Sequence, residues 1–554
     1  MKRFLAFLVL LTLALGGCGR SKETASKAPP PPDEPLFEGL GPHTRAVTTK
    51  SEEAQRYFDQ GLAFLFAFNH DEAIRSFRRA SRCDPDCAMA YWGIAVANGP
   101  HINNPMVDST HAAAAWEALT QAQSRAGGAK DAERALIEAA GKRYADPQPA
   151  DRRPLEEAYA AAMREVWRAH PRDADVGALF AEALMDLRPW DLWKPDGSPQ
   201  PGTLEVLQTL EAVLALDPAH PLANHLYIHA VEASPNPEKG DAAAARLRDM
   251  EPGLGHMVHM PSHIDVRRGR WKEAELANRR AIEVDRKYRE ISPNQGFYRI
   301  YMAHNHHMLA YAAMMQGESA VALEAIRNMV LGIPEAWVRE NAAFVDGFMA
   351  MPLEVMMRFG RWDEILAAPE YADYLPIARA LRFYARGVAR AATGMVAEAE
   401  AEQKAFLAAK ARVPQEAFFG NNSANDLLNV AEHFLAGEIL YRAGKQEEGI
   451  SELREAARQE DAVRYDEPPD WIQPVRHALG ATLLQSGRSA EAEEVYRADL
   501  KKLPGNGWSL FGLARSLRLE GKDAEAAEIE TRFQKIWENA DVKLSSSCFC
   551  QPGV

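Results

Sequence analysis

The sequence predicts an all-α solenoid of stacked helix–turn–helix units. Three observations predict it. The chain repeats itself at 34 residues: His225 to His259 and His229 to His263 are both that far apart, and a fixed period of this size marks a stacked array. Small, large and Pro residues recur at fixed places within the period, as two packed helices require. No stretch of useful length alternates apolar and polar residues with the period of a strand.

The chain has 554 residues, more than one compact core serves. It is 47% hydrophobic and 26% charged, an ordinary globular balance. A net charge of -14 is the opposite of a nucleic-acid binder's basic footprint, so no nucleic-acid partner is expected.

Met1-Lys2-Arg3 and the apolar run Phe4 to Leu15 read as a signal peptide over 1–17. Leu15-Gly16-Gly17-Cys18 resembles a bacterial lipobox, which implies cleavage before Cys18 and lipidation of its thiol. The expected location is therefore the cell envelope, membrane-anchored on the periplasmic or outer-membrane side. Residues 18–50, with Pro29 to Pro32 and Pro35, read as an extended tether. In an exported chain the close pairs Cys83/Cys87 and Cys548/Cys550 are disulfide candidates. Buried thiols for the first pair and a metal-binding tail for the second are the alternatives.

The first unit starts at Ala54. Counting that as position 1, Gly61 falls at 8, Phe64 at 11, Ala73 at 20, Phe77 at 24, Ala80 at 27 and Pro85 at 32. Small residues let the two helices approach, large ones fill the contact, and Pro ends the second helix. The unit starting at Gln473 repeats the pattern with Gly480, Leu483, Ala492, Tyr496 and Pro504. These landmarks divide the body into an N-terminal region with irregular helices (51–202), central His-rich units (203–335), weaker units (336–424), C-terminal units (425–540) and a tail (541–554). Leu187 to Thr203 is a Pro-, Gly- and Trp-rich insertion just before the His-rich units, and Arg289 to Met302 is another inside them.

The landmark pattern resembles the tetratricopeptide repeat family over most of Ala54 to Asn539. A closer likeness, to a group of bacterial repeat lipoproteins without an established activity, is carried by Arg188-Pro189-Trp190, Asn224 to His229, His259-Met260-Pro261-Ser262-His263-Ile264 and Pro469-Asp470-Trp471. The family likeness implies a concave groove lined by positions 2, 5, 9 and 12 of each first helix, where a peptide or protein segment binds. His256 and His304 fall at 2, His225, His259 and His307 at 5, His229 and His263 at 9, and Glu232 at 12. Helix geometry agrees, because spacings of three, four and seven share one face. Pro261 sits inside the first helix of its unit and should interrupt it.

Seven imidazoles converging on one face are costly to satisfy unless a cation joins them. The expected site is a zinc or copper ion held by His225, His229, His259 and His263, with His256, His304 or His307 close by. Glu232 would act as ligand, supporting partner or general base. Nearby Met257, Met260, Met302 and Met308 fall off the groove positions and read as packing, while His70, His101 and His477 read as structural or surface. The expected function is an exported, lipid-anchored scaffold that binds a peptide or protein segment in a His-lined groove. The alternative is a metal-dependent enzyme on the same scaffold.

Overall fold

The computed structural model describes residues 34–551; the signal peptide and Cys18 lie outside them. From Leu36 the chain forms one body. It is all-helical apart from a two-residue strand pair, Phe418–Phe419 with Asn422–Ser423, and it is built as a solenoid of helical hairpins. Typical hairpins are Glu52–Phe66 with His70–Cys83, Pro376–Ala392 with Val396–Lys410, and Gly507–Leu519 with Asp523–Ile536. No described helix is long and apolar enough to cross a membrane.

The first hairpin shows how sequence sets the stacking. Ser51 caps its first helix, its hydroxyl accepting from the Ala54 amide, and Asn69 caps the second by accepting from Glu72. Phe77 of the second helix is fully buried. It wedges between Gly61 of its own unit and Gly93 of the next, where an added Cβ would stand 2.5 and 2.6 Å from the ring. Tyr496 does the same between Gly480 and Gly512, at 2.4 and 2.1 Å. One large residue thus locks two successive first helices, which is why both glycines recur in phase.

Two departures from the sequence reading matter. Residues 36–50 are not a tether but a strap laid on the body. The Phe37 amide donates to Gln60, its ring packs 5.1 Å from Phe64, the Gly253 amide donates to the Gly39 carbonyl, and Arg45 pairs with Asp173 and Asp175. Proline and charge dominate the local pattern there, and the partners are far away in sequence. The cysteines also part company. Cys548 and Cys550 are bonded, whereas Cys83 and Cys87 are separate thiols.

The array also folds back on itself. The Trp271 indole donates to the Pro504 carbonyl at 2.9 Å and the Trp508 indole to the Met314 carbonyl at 2.7 Å. These bonds seat the C-terminal units against the His-rich ones, more than 190 residues away. In the tail, Ser547 accepts from Arg358 through its carbonyl, and the Asp541 carboxylate accepts from the Ser319 and Ala320 amides. The central units are therefore enclosed rather than left on an open concave face.

Candidate metal centre

Four short helical segments build the site. The first is Pro221–Glu232, begun by Pro221 and capped by His220, whose ring accepts from the Ala223 amide. Its residues His225, His229 and Glu232 follow at spacings of four and three and share one face. Pro261 splits the next unit's first helix into Gly255–His259, carrying His256 and His259, and Pro261–Arg267, carrying His263. Arg299–Gln316 brings His304.

The imidazoles are oriented from behind. His229 Nδ1 lies 2.7 Å from Glu232 Oε1, and His263 Nδ1 lies 2.6 Å from Glu232 Oε2. A carboxylate only accepts, so both rings carry their hydrogen on Nδ1. His225 Nδ1 is 2.7 Å from the Phe66 carbonyl, another pure acceptor. His259 Nδ1 is 2.6 Å from Asn278 Oδ1, and the Asn278 amide nitrogen is committed to the Ala274 carbonyl. In their neutral forms these four rings are thereby left with bare Nε2 lone pairs.

Those lone pairs face each other. Nε2 of His225 lies 3.2 Å from that of His229 and 3.1 Å from that of His256. Nε2 of His259 lies 2.8 Å from that of His263 and 3.1 Å from that of His304. Two acceptors cannot hydrogen-bond, so a cation between His225 and His229, and another between His259 and His263, would satisfy both rings of each pair. Burial disfavours a proton for that task on every ring but His263. It lowers His225, His256, His259 and His304 well below the usual imidazole value, with the neighbouring rings adding to the effect. It lowers His229 as well, while Glu232 holds His263 above its usual value against the pull of burial. Burial alone would raise the Glu232 carboxyl, but His263 and His229 hold it down at about 2. The arrangement could hold a metal ion, because neutral imidazole backed by a carboxylate or carbonyl is the usual way to hold one.

The expected single set of four therefore resolves into two triads, His225/His229/His256 and His259/His263/His304. In each, the ligating atoms lie within 4.8 Å of one another. Glu232 belongs to both as the link behind His229 and His263. His307 stands apart from both triads, with its ring 6.0 Å from Phe348. The histidines also do not line an open groove. Five of the six are buried, and only His304 is partly exposed. The segment after Ala462 closes over them, with the Tyr465 hydroxyl donating to Glu467 at 2.8 Å and lying 3.3 Å from Glu232.

A third constellation, His43, Asp175 and His220, lies outside this centre. Both rings sit on the same Asp175 oxygen, and Arg45 takes the other, so it reads as the latch of the strap.

Several site residues escaped the sequence reading. Phe66 and Asn278 carry no signal in one sequence. Phe68, held at φ 56, presses its ring 4.4 Å from His225, and His101 stacks behind it at 4.7 Å rather than standing alone. Trp190, from the Leu187 to Thr203 insertion, packs edge-on to His229 at 5.2 Å. A cavity of about 440 Å³ opens onto His229, His256, His263 and His304, walled by Trp190, Phe297, Tyr301, Phe344 and Phe348, with Asp466 and Glu467 at its polar side.

Acid should weaken the contribution of the metal-free histidine cluster. Five of the six rings have lowered values. As pH falls below about 6.5 the unfolded chain takes up protons that the folded rings refuse, so these rings' contribution to stability is greatest above that pH and falls below it. His263 is raised and acts oppositely, since its contribution is complete below about 6.5 and is lost as pH rises through its folded value; five outweigh one. Imidazole NMR titration in chelator should show these five rings protonating below about 6.5 and His263 above it, and the reverse order would contradict the protonation states assigned above.

No family model and no curated protein matches the chain. Among solved structures it is similar to the human IFIT1 dimer with m7Gppp-AAAA, at 14% identity and TM-score 0.33 over 88% of this chain and 91% of that one. It is also similar to the APC/C hetero-tetramer Cut9-Hcn1, at 11% identity and TM-score 0.30 over 89% and 76%. Yeast Tom70 aligns at 11% identity and TM-score 0.28 over 87% and 92%.

Proposed function

We propose that this protein is a helical-repeat scaffold whose central units hold a transition-metal centre open to a small-molecule pocket, and that it performs metal-dependent chemistry there. The observation that carries the reading is the facing of bare Nε2 atoms, His225 to His229 at 3.2 Å and His259 to His263 at 2.8 Å, with every Nδ1 of those four rings already committed. An all-imidazole donor set suits copper or zinc, and copper heads the affinity order. Four ligand rings border the 440 Å³ cavity, so a substrate can reach an ion held by them. Glu232 fits the role of positioning residue rather than ligand, since both its oxygens are used on ring hydrogens.

The test is elemental analysis of the full chain purified from its membrane fraction. Copper or zinc is expected in the wild type and is expected to fall in His229→Ala and His263→Ala. A metal-free wild type that takes up neither ion after dialysis would end this reading. It would leave the capture of a peptide side chain against the aromatic wall of Trp190, Phe297 and Phe348 as the better account.

The lipid anchor belongs to the same proposal. It rests on Leu15-Gly16-Gly17-Cys18 and would hold the body at a membrane surface of the cell envelope. Cys18→Ser should move the protein to the soluble fraction with its metal content unchanged, whereas unaltered membrane retention would remove the anchor from the account.

A further inference from the structure

We propose that the centre is dinuclear, one copper(I) ion per histidine triad, and that the pair binds dioxygen as a bridging ligand; this rests on the metal-centre reading above.

Three observations carry it. The imidazoles fall into two sets of three, the candidate ligating atoms of each within 4.8 Å of one another, and a further set joins His229 and His263 through Glu232. The two sets are neighbours: the His229 and His263 rings are 5.3 Å apart, the His256 and His259 rings 5.7 Å apart, and Glu232 spans His229 and His263 from behind. Both sets border the same cavity, the first through His229 and His256 and the second through His263 and His304. Two ions held so would present their open positions to one shared space, and a two-atom ligand is the size that bridges them.

Charge selects the metal. All six ligands are neutral, and the one carboxylate bonded to them is Glu232. Two divalent ions would place four positive charges in a buried site. Even with Asp466 and Glu467 at the cavity wall counted as ionised, the opposing charges number three. Two copper(I) ions bring only two, and three imidazoles satisfy a copper(I) ion without further anions.

The reaction balances on the same count. Each copper(I) gives one electron to dioxygen. The O–O bond order falls from two to one, one copper–oxygen bond forms at each end of an end-on bridge or two at each copper of a side-on one, and no proton moves. The product is two copper(II) ions with one peroxide. The net charge is two positive before and two positive after, so a low-dielectric site meets no new charge. The aromatic wall of Trp190, Phe297, Phe344 and Phe348 excludes water and admits a neutral diatomic molecule.

The experiment loads the chelator-stripped full-length protein with copper(I) under argon, measures copper per chain, then admits dioxygen. The expected result is two coppers per chain, one dioxygen consumed per two coppers, a new near-ultraviolet charge-transfer band, no copper(II) paramagnetic signal, and an O–O vibration that shifts with heavy-isotope dioxygen. His304→Ala, at the partly exposed ring, should halve the copper content and abolish the band. One copper per chain would overturn the proposal, as would two that oxidise to ordinary paramagnetic copper(II) without an oxygen-derived vibration; either result leaves the metal centre standing. A His304→Ala protein that keeps both coppers and the band would overturn the assignment of the second triad. Failure to bind copper or zinc at all would bring down the metal-centre reading as well.

Discussion

Glu232→Gln should weaken metal binding at both triads together, by about ten- to a hundredfold. The carboxylate accepts from His229 Nδ1 through one oxygen and from His263 Nδ1 through the other. Glutamine keeps one acceptor and replaces the second by an amide NH2, which meets a ring N–H donor to donor. That ring must turn away or move its hydrogen to Nε2, where it points at the ion. Whichever way the amide lies, one triad loses a ligand and the other loses the charge that strengthens its ring as a donor. Calorimetric titration of the stripped protein checks this, with far-UV dichroism confirming the fold. Unchanged affinity would show that Glu232 is a buried ion pair and nothing more.

Phe77→Ala should cost about 3–5 kcal/mol, the usual loss for a buried aromatic side chain. The ring is fully buried and fills the space that Gly61 and Gly93 leave. Neither glycine can close a gap of that size, so the first two units lose their lock. In a stacked array such a loss is felt first by nearest neighbours. It should therefore reach the site, because the helix that carries Gly61 ends at Phe66, whose carbonyl orients His225. Denaturant melts compared with Leu331→Ala, at a residue that is 79% exposed, check the claim. The exposed variant should stay within about 0.5 kcal/mol of wild type. Equal effects from both variants would mean that Phe77 does not set the stacking.

Much of the repeat architecture is legible in the sequence because its cause is local. Gly61, Ala73 and Phe77, or Gly480, Ala492 and Tyr496, are spaced by the geometry of two packed helices, and that spacing survives in one dimension. The histidine cluster is legible for the same reason, since His225/His229 and His259/His263 follow helix spacing. The division into triads is not. It depends on His256 and His259, from one short helix, reaching different neighbours, His225 for the first and His263 for the second, and on Phe66 and Asn278 fixing which nitrogen of His225 and His259 is bare. His307 is three residues beyond His304, a step of about 300° around the helix. It shares that face but lies about 4.5 Å further along the helix axis, where its ring meets Phe348. Burial was the least legible property. The residues that enclose the site come from the Leu187 to Thr203 insertion, from Tyr465 and from C-terminal units that return through Trp508, and no local pattern announces contacts over such separations.

The central claim is that six histidines form two three-imidazole metal sites. Anomalous X-ray diffraction from metal-loaded crystals tests it most directly. The account predicts two peaks, one among Nε2 of His225, His229 and His256 and the other among Nε2 of His259, His263 and His304, each at about 2.0–2.1 Å from its nitrogens. A single peak shared by His225, His229, His259 and His263, or no peak within reach of these rings, would contradict it.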